Sequence, residues 1–92
     1  MKKPRLMMRV RRGLDYTSIS GLVYRATIRV YLRISSTTSK DISLIHVRSK
    51  DRIGLEKKIR SVQKEFDTLI REDPDFVKRI AEPEIIYLDE DQ

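Results

Sequence analysis

In Leu22-Val23-Tyr24-Arg25-Ala26-Thr27-Ile28-Arg29-Val30-Tyr31-Leu32-Arg33-Ile34 every second side chain is apolar. Leu22, Tyr24, Ala26, Ile28, Val30, Leu32 and Ile34 alternate with Val23, Arg25, Thr27, Arg29, Tyr31 and Arg33. A two-residue period places the first set on one side of a pleated strand and the second on the other. Helical winding would scatter the arginines around an axis, and the β-branched and aromatic content favours the strand. At the usual rise the stretch spans roughly 40 Å, long enough to call for strong twist, a bulge or an end projecting beyond the core. Ala26 is the expected bend.

Working outward, Leu6, Met8 and Val10 alternate with Arg5, Met7, Arg9 and Arg11, a second strand signature over Leu6–Arg11. Arg12-Gly13-Leu14-Asp15 reads as a turn and Tyr16–Gly21 as a polar loop, which excludes a tight two-residue hairpin. After the long strand, Ser35–Asp41 is a polar turn, and Ile42–Arg48 is a third strand of less regular alternation. At Ser49-Lys50-Asp51 the period changes. Leu55, Ile59, Val62, Phe66 and Leu69 or Ile70 recur at steps of three and four, an amphipathic helix with Ser49 or Asp51 as N-cap. Glu56 and Arg60, and Asp67 and Arg71, are spaced for pairs along it. Asp73-Pro74 ends that helix and opens a short one, Glu82-Pro83 breaks the second, and Glu84–Leu88 is a last strand.

The expected fold is therefore α+β, in the order β-β-β-α-α-β: an antiparallel sheet of three to four strands with one long and one short helix on one face. The 92 residues suffice for a single domain, with a basic arm at residues 1–4 and an acidic tail at residues 89–92. The expected core is Leu6, Met8, Val10, Tyr24, Ile28, Val30, Leu32, Ile59, Val62, Phe66, Leu69 and Ile80.

Composition restricts the chemistry. There is no cysteine and one histidine, His46, so disulfides, thiolate metal sites and cysteine nucleophiles are excluded, and neither a cofactor nor a metal is called for. Asp41, Ser43 and Ser49 near His46 supply the residue types of a hydrolytic triad without any accompanying motif, and the chain reads as non-enzymatic. No apolar run approaches a membrane span and no signal peptide is recognisable, which points to a soluble cytoplasmic protein.

Charge supplies the functional lead. The net charge is +6, but residues 1–40 hold ten Lys/Arg against the single acid Asp15, whereas residues 65–92 hold three against ten acids. If the first two strands align their polar sides, Arg5, Arg9, Arg11, Arg25, Arg29 and Arg33 share one surface with Thr27 and Tyr31. Guanidinium forks engage phosphate oxygens in pairs, and an aromatic ring offers a stacking surface for a base. The polar side of any amphipathic sheet must be hydrophilic, and strand charges also guard against aggregation. A face of one sign nevertheless calls for an anion, because an inert surface relieves repulsion by mixing signs. The expectation is a DNA- or RNA-binding protein that uses Arg9, Arg11, Arg25, Thr27, Arg29, Tyr31 and Arg33, with binding falling as salt rises at a log–log slope of about −5. The competing expectation is a protein-interaction or assembly subunit, homodimeric through a sheet edge or the acidic tail. Lys57, Arg60, Lys64 and Arg71 form a helix face whose charge is relieved by interleaved acids.

Overall fold

The computed structural model describes residues 3–17, 19, 21–81 and 85–90. The start of the basic arm, the Glu82–Glu84 break and the last two residues of the acidic tail lie outside them. The elements are β1 (Arg5–Thr17), β2 (Gly21–Arg33), β3 (Ser39–Ser49), α1 (Arg52–Glu72), α2 (Pro74–Val77) and β4 (Ile85–Glu90). The fold is α+β, with one four-stranded sheet in the order β3-β2-β1-β4. Both helices follow β3, and α1 packs against β2 and β3.

The sheet is mixed rather than antiparallel. β1–β2 and β2–β3 are antiparallel, but β4 runs parallel to β1, pairing Leu6 with Ile85 through Arg11 with Glu90. The reason lies in α1, whose 21 residues carry the chain back about 30 Å along the sheet. The strand that follows must then run in the direction of β3, which is also that of β1. Hydrogen bonding of the Ala81 N–H to the Pro4 carbonyl, 2.9 Å, brings the returning chain to the foot of β1.

β1 is longer than its polar composition suggests. Arg12–Asp15, read as a turn, continues the strand, and the pairing with β2 is unbroken from Arg5 opposite Arg33 to Thr17 opposite Gly21. The alternation persists through Arg12, Leu14 and Tyr16, but a charged residue and a glycine disguise it. Gly21 has φ +71°, the left-handed conformation suited to the close of a short hairpin connection. The expected bend at Ala26 is absent: Ala26 is buried in the core. The irregularity falls between Val30 and Tyr31, which face Ser43 and Asp41, leaving Ile42 as an extra residue on β3. The bulge shifts the phase only of the residues before Ser43; within Ile42–Arg48 the alternation is blurred because the polar Ser43 lies on the core side, opposite Val30, and the apolar Leu44 on the open side, opposite Arg29.

One face of the sheet holds the core, made of Leu6, Met8, Val10, Ala26, Ile28 and Val30 against Leu55, Ile59, Ile70, Ile80 and Ile85. Tyr24, Leu32, Val62 and Phe66 pack at its margin. Leu69, expected inside, is exposed, and Ile70 takes its place because the step of four from Phe66 stays on the buried stripe. Asp51 is the N-cap of α1 and accepts from the Gly54 N–H; Asp73 both ends α1 and caps α2 through the Phe76 N–H. The carboxylates expected to serve pairs within α1 are engaged across the fold instead. Glu56 binds Arg12 of β1, and Asp67 accepts from the Tyr87 hydroxyl of β4 at 2.9 Å. Burial and that hydrogen bond push the Tyr87 phenol up to about 12, so it remains a donor throughout the ordinary pH range.

Truncation separates a buried position of α1 from an exposed one. Ile59→Ala is expected to cost about 3 kcal/mol in urea unfolding, as for a fully enclosed aliphatic side chain, and Leu69→Ala less than about 1 kcal/mol. Equal costs would contradict the packing of α1.

Candidate functional site

The face of the sheet opposite α1 is where the arginines meet. Register places Arg5 opposite Arg33, Arg9 opposite Arg29, Arg11 opposite Thr27 and Gly13 opposite Arg25. Because cross-strand partners point the same way in a pleated sheet, all six expected arginines emerge on one surface. β3 adds Arg48 opposite Arg25 and His46 opposite Thr27, with the Thr27 Oγ1 and His46 Nδ1 atoms 3.3 Å apart. Neither Arg48 nor His46 belongs to the sequence-derived site. Their phase was blurred by the polar Ser43 on the core side and the exposed apolar Leu44 on the arginine side.

This face also carries carboxylates that the linear sequence kept apart. Asp15 lies on β1 itself, so the first two strands are not free of acid. Its carboxylate holds Arg25 at 2.9 Å and reaches Arg48 at 3.7 Å. The Arg25 guanidinium lies across β1 at Gly13, where a Cβ would stand 3.2 Å from it and would displace it by a few tenths of an ångström. Asp41 receives Arg29 at 2.6 Å, and Ser39 Oγ accepts from the same guanidinium at 3.4 Å. Glu90 stands 3.2 Å from Arg9. The strand β4 continues to Glu90, so Asp89 and Glu90 form part of the sheet and not of a solvated tail. Arg5 and Arg33, adjacent across the β1–β2 pair, have no carboxylate partner among the described residues, and both are exposed. Arg11 is exposed as well, between Thr27 and Glu90 in register.

Tyr31 occupies a different position from the one expected of a stacking platform. It is 5% exposed, beside Met7, with the Arg29 guanidinium 4.5 Å and the Arg9 guanidinium 5.8 Å from its ring centroid. The ring is already covered by cations of its own chain, so a base cannot lie on it. Its physical role is to hold the two guanidiniums in place through its π-face. They flank a cleft of about 220 Å³ whose other walls are Arg33 and the turn Ser35–Ser39. In that turn, Ser35 Oγ accepts from the backbone N–H groups of Thr37 and Thr38, at 3.3 and 3.1 Å. The cleft thus gathers guanidiniums and hydroxyls, the donor set that suits a phosphate oxygen.

Arg12 alone among the β1 arginines points to the helix side. It meets Glu56 in two-point fashion, 2.6 and 3.0 Å, and Asp89 at 2.9 Å, joining β1, α1 and β4. The hydrogen bond to Glu56 is the main cause that raises the Arg12 pKa, and the same bond holds the Glu56 carboxyl below its ordinary value. Ser43 pairs with Val30 on the core side, whereas His46 is on the arginine face and Asp41 is committed to Arg29, so the triad residue types do not converge. Among the described residues no group of three or more His, Asp and Glu side chains is placed to hold a metal ion, and no helix is long and apolar enough to cross a membrane. No protein-family model, no curated protein and no solved structure matches this chain.

The Arg12–Glu56 pair has a pH signature of defined sign. A carboxyl held below its unfolded value of about 4.5 contributes stability that is complete above that pH and is lost as pH falls through the lower folded value. Glu56→Gln is therefore expected to lose about 1 kcal/mol near neutrality, scaled to a partly exposed pair. The loss should shrink as pH falls from neutrality through the lowered folded value, where the wild-type carboxyl also protonates. Urea titrations across the acid range test this, and a difference that stays constant would contradict it.

Proposed function

We propose that the protein binds the sugar–phosphate backbone of a nucleic acid on its arginine-bearing sheet face. The observation that carries this reading is the charge of that face: Arg5, Arg9, Arg11, Arg25, Arg29, Arg33 and Arg48 against Asp15, Asp41 and Glu90. Pairing relieves the repulsion among the cations and orients them, yet a positive excess remains on an open surface. Arg5 and Arg33, exposed and without carboxylate partners among the described residues, stand at the end where the Ser35–Ser39 turn adds hydroxyl donors. Contacts there are of the positioning kind, guanidinium and hydroxyl to phosphate, and carry no base identity. With Tyr31 covered, base stacking plays no part, and recognition rests on backbone charge and spacing.

The paired arginines weaken the expected salt dependence. Arg25 and Arg29 already sit against carboxylates, so fewer counterions are released than six independent arginines would displace. With Arg5, Arg33 and two further cations engaged, log affinity should fall with log salt at a slope of about −3, for single or double strands. Arg5→Ala combined with Arg33→Ala should lower affinity and flatten the slope by about 2, while leaving the unfolding midpoint unchanged. The control pair Arg60→Ala with Arg71→Ala on α1 should leave the slope as it was. Binding that is indifferent to the β1–β2 pair, or equally sensitive to the helix pair, would reject this face as the site.

A further inference from the structure

The β1–β2 hairpin outruns everything that supports it. β3 ends at Ser49, opposite Tyr24, and β4 ends at Glu90, opposite Arg11. α1 begins at Arg52, whose guanidinium lies over the Tyr24 ring at 5.9 Å. Beyond these points the chain continues as a two-stranded ribbon, through Thr17 and back from Gly21. Isolated two-stranded ribbons are marginal in water and gain stability by packing an apolar side against something else. The ribbon has such a side: Leu14, Tyr16 and Leu22 lie on the helix side, 57%, 85% and 43% exposed, and Ile19 at the connection is almost wholly exposed. Where the ribbon leaves the body, a cleft of about 670 Å³ opens beneath it, bounded by Leu14, Tyr24 and Leu55 with Arg12, Arg52 and Glu56 at its rim.

We propose that this ribbon is a dimerisation arm: two copies pack face to face about a two-fold axis, each placing its Tyr16 in the cleft beneath the other's hairpin. Three features select a second copy as the occupant. The projecting apolar side chains and the cleft that suits them belong to the same hairpin, so a single two-fold contact covers both at once. Charge permits the approach here and opposes it on the arginine face. Among the described residues the apolar side of the ribbon bears no ionisable groups other than the Tyr16 and Tyr24 phenols, and the charges on its reverse side, Asp15 and Arg25, are paired with each other. At the rim Arg12 and Arg52 stand with Glu56 and Asp89, Arg12 being paired with both carboxylates, so the two signs are equal in number where a second copy would enter. The area is also adequate: two copies of Leu14, Tyr16, Ile19 and Leu22 bury on the order of 1,000 Å², the size at which specific association begins.

The inference stands apart from nucleic-acid binding, since the arm's apolar side faces away from the arginines. Analytical ultracentrifugation of the full chain over a wide concentration range should show a species of twice 10.9 kDa that dissociates on dilution. Tyr16→Ser combined with Leu22→Ser should reduce the mass to that of one chain at every concentration, with the circular dichroism spectrum and the salt slope of each chain preserved. The chain has no cysteine, so a disulfide reports proximity without background. An equimolar mixture of the single variants Tyr16→Cys and Arg52→Cys should cross-link between chains faster than either variant alone. A single-chain mass throughout, a dimer that survives the double serine variant, or a mixture that cross-links no faster than its components would each overturn the arm.

Discussion

The register between β1 and β2 is the constraint on which the rest of the molecule depends. Thirteen consecutive pairs, from Arg5–Arg33 to Thr17–Gly21, keep Leu6, Met8 and Val10 on the same side as Ile28 and Val30. A slip by one residue would exchange these for Met7, Arg9 and Arg11, removing the floor on which Leu55 and Ile59 pack and placing guanidiniums in an apolar interior. Burial on one side therefore enforces what happens on the other. The arginines share the open face because their neighbours cannot leave the core.

That crowding has to be relieved, and the relief comes from three places in the chain. Asp15 is local, Asp41 arrives on β3, and Glu90 arrives on β4. Each carboxylate sits on a strand, so backbone pairing sets which guanidinium it faces. Tyr31 adds a neutral π-surface between Arg9 and Arg29. The face that results is positive and arranged, with its cations spaced by the strand repeat instead of scattered by repulsion. Arg12, on the other side of the same strand, shows the alternative use of the residue: enclosed by Glu56 and Asp89, it ties three elements together.

Several features resisted reading for identifiable reasons. Arg12-Gly13-Leu14-Asp15 resembles a turn because turn propensity and strand continuation are judged from the same few residues. Only pairing with β2 settles the matter, and the Arg25 guanidinium lies across the strand at Gly13. Ser43 on the core side and Leu44 on the open side invert the polarity expected of β3, and so concealed that Arg48 and His46 join the arginine surface. Leu69 and Ile70 are separated by a single position on a helix, and the choice between them depends on where the sheet lies, which periodicity alone does not specify.

Alternation and period change, read along the chain, sufficed for the strand and helix content, the α+β class and the assignment of arginines to one side of each strand. These are properties of a local repeat, set by backbone geometry and by which side chains water rejects. The tertiary structure alone decided that β4 lies parallel beside β1, which carboxylates reach which guanidiniums, that Tyr31 is covered, and that the hairpin extends past its support. Those outcomes depend on which strands pair and in what register, and the contacts of β4 with β1 and α1 exist only once the long helix has returned the chain across the sheet.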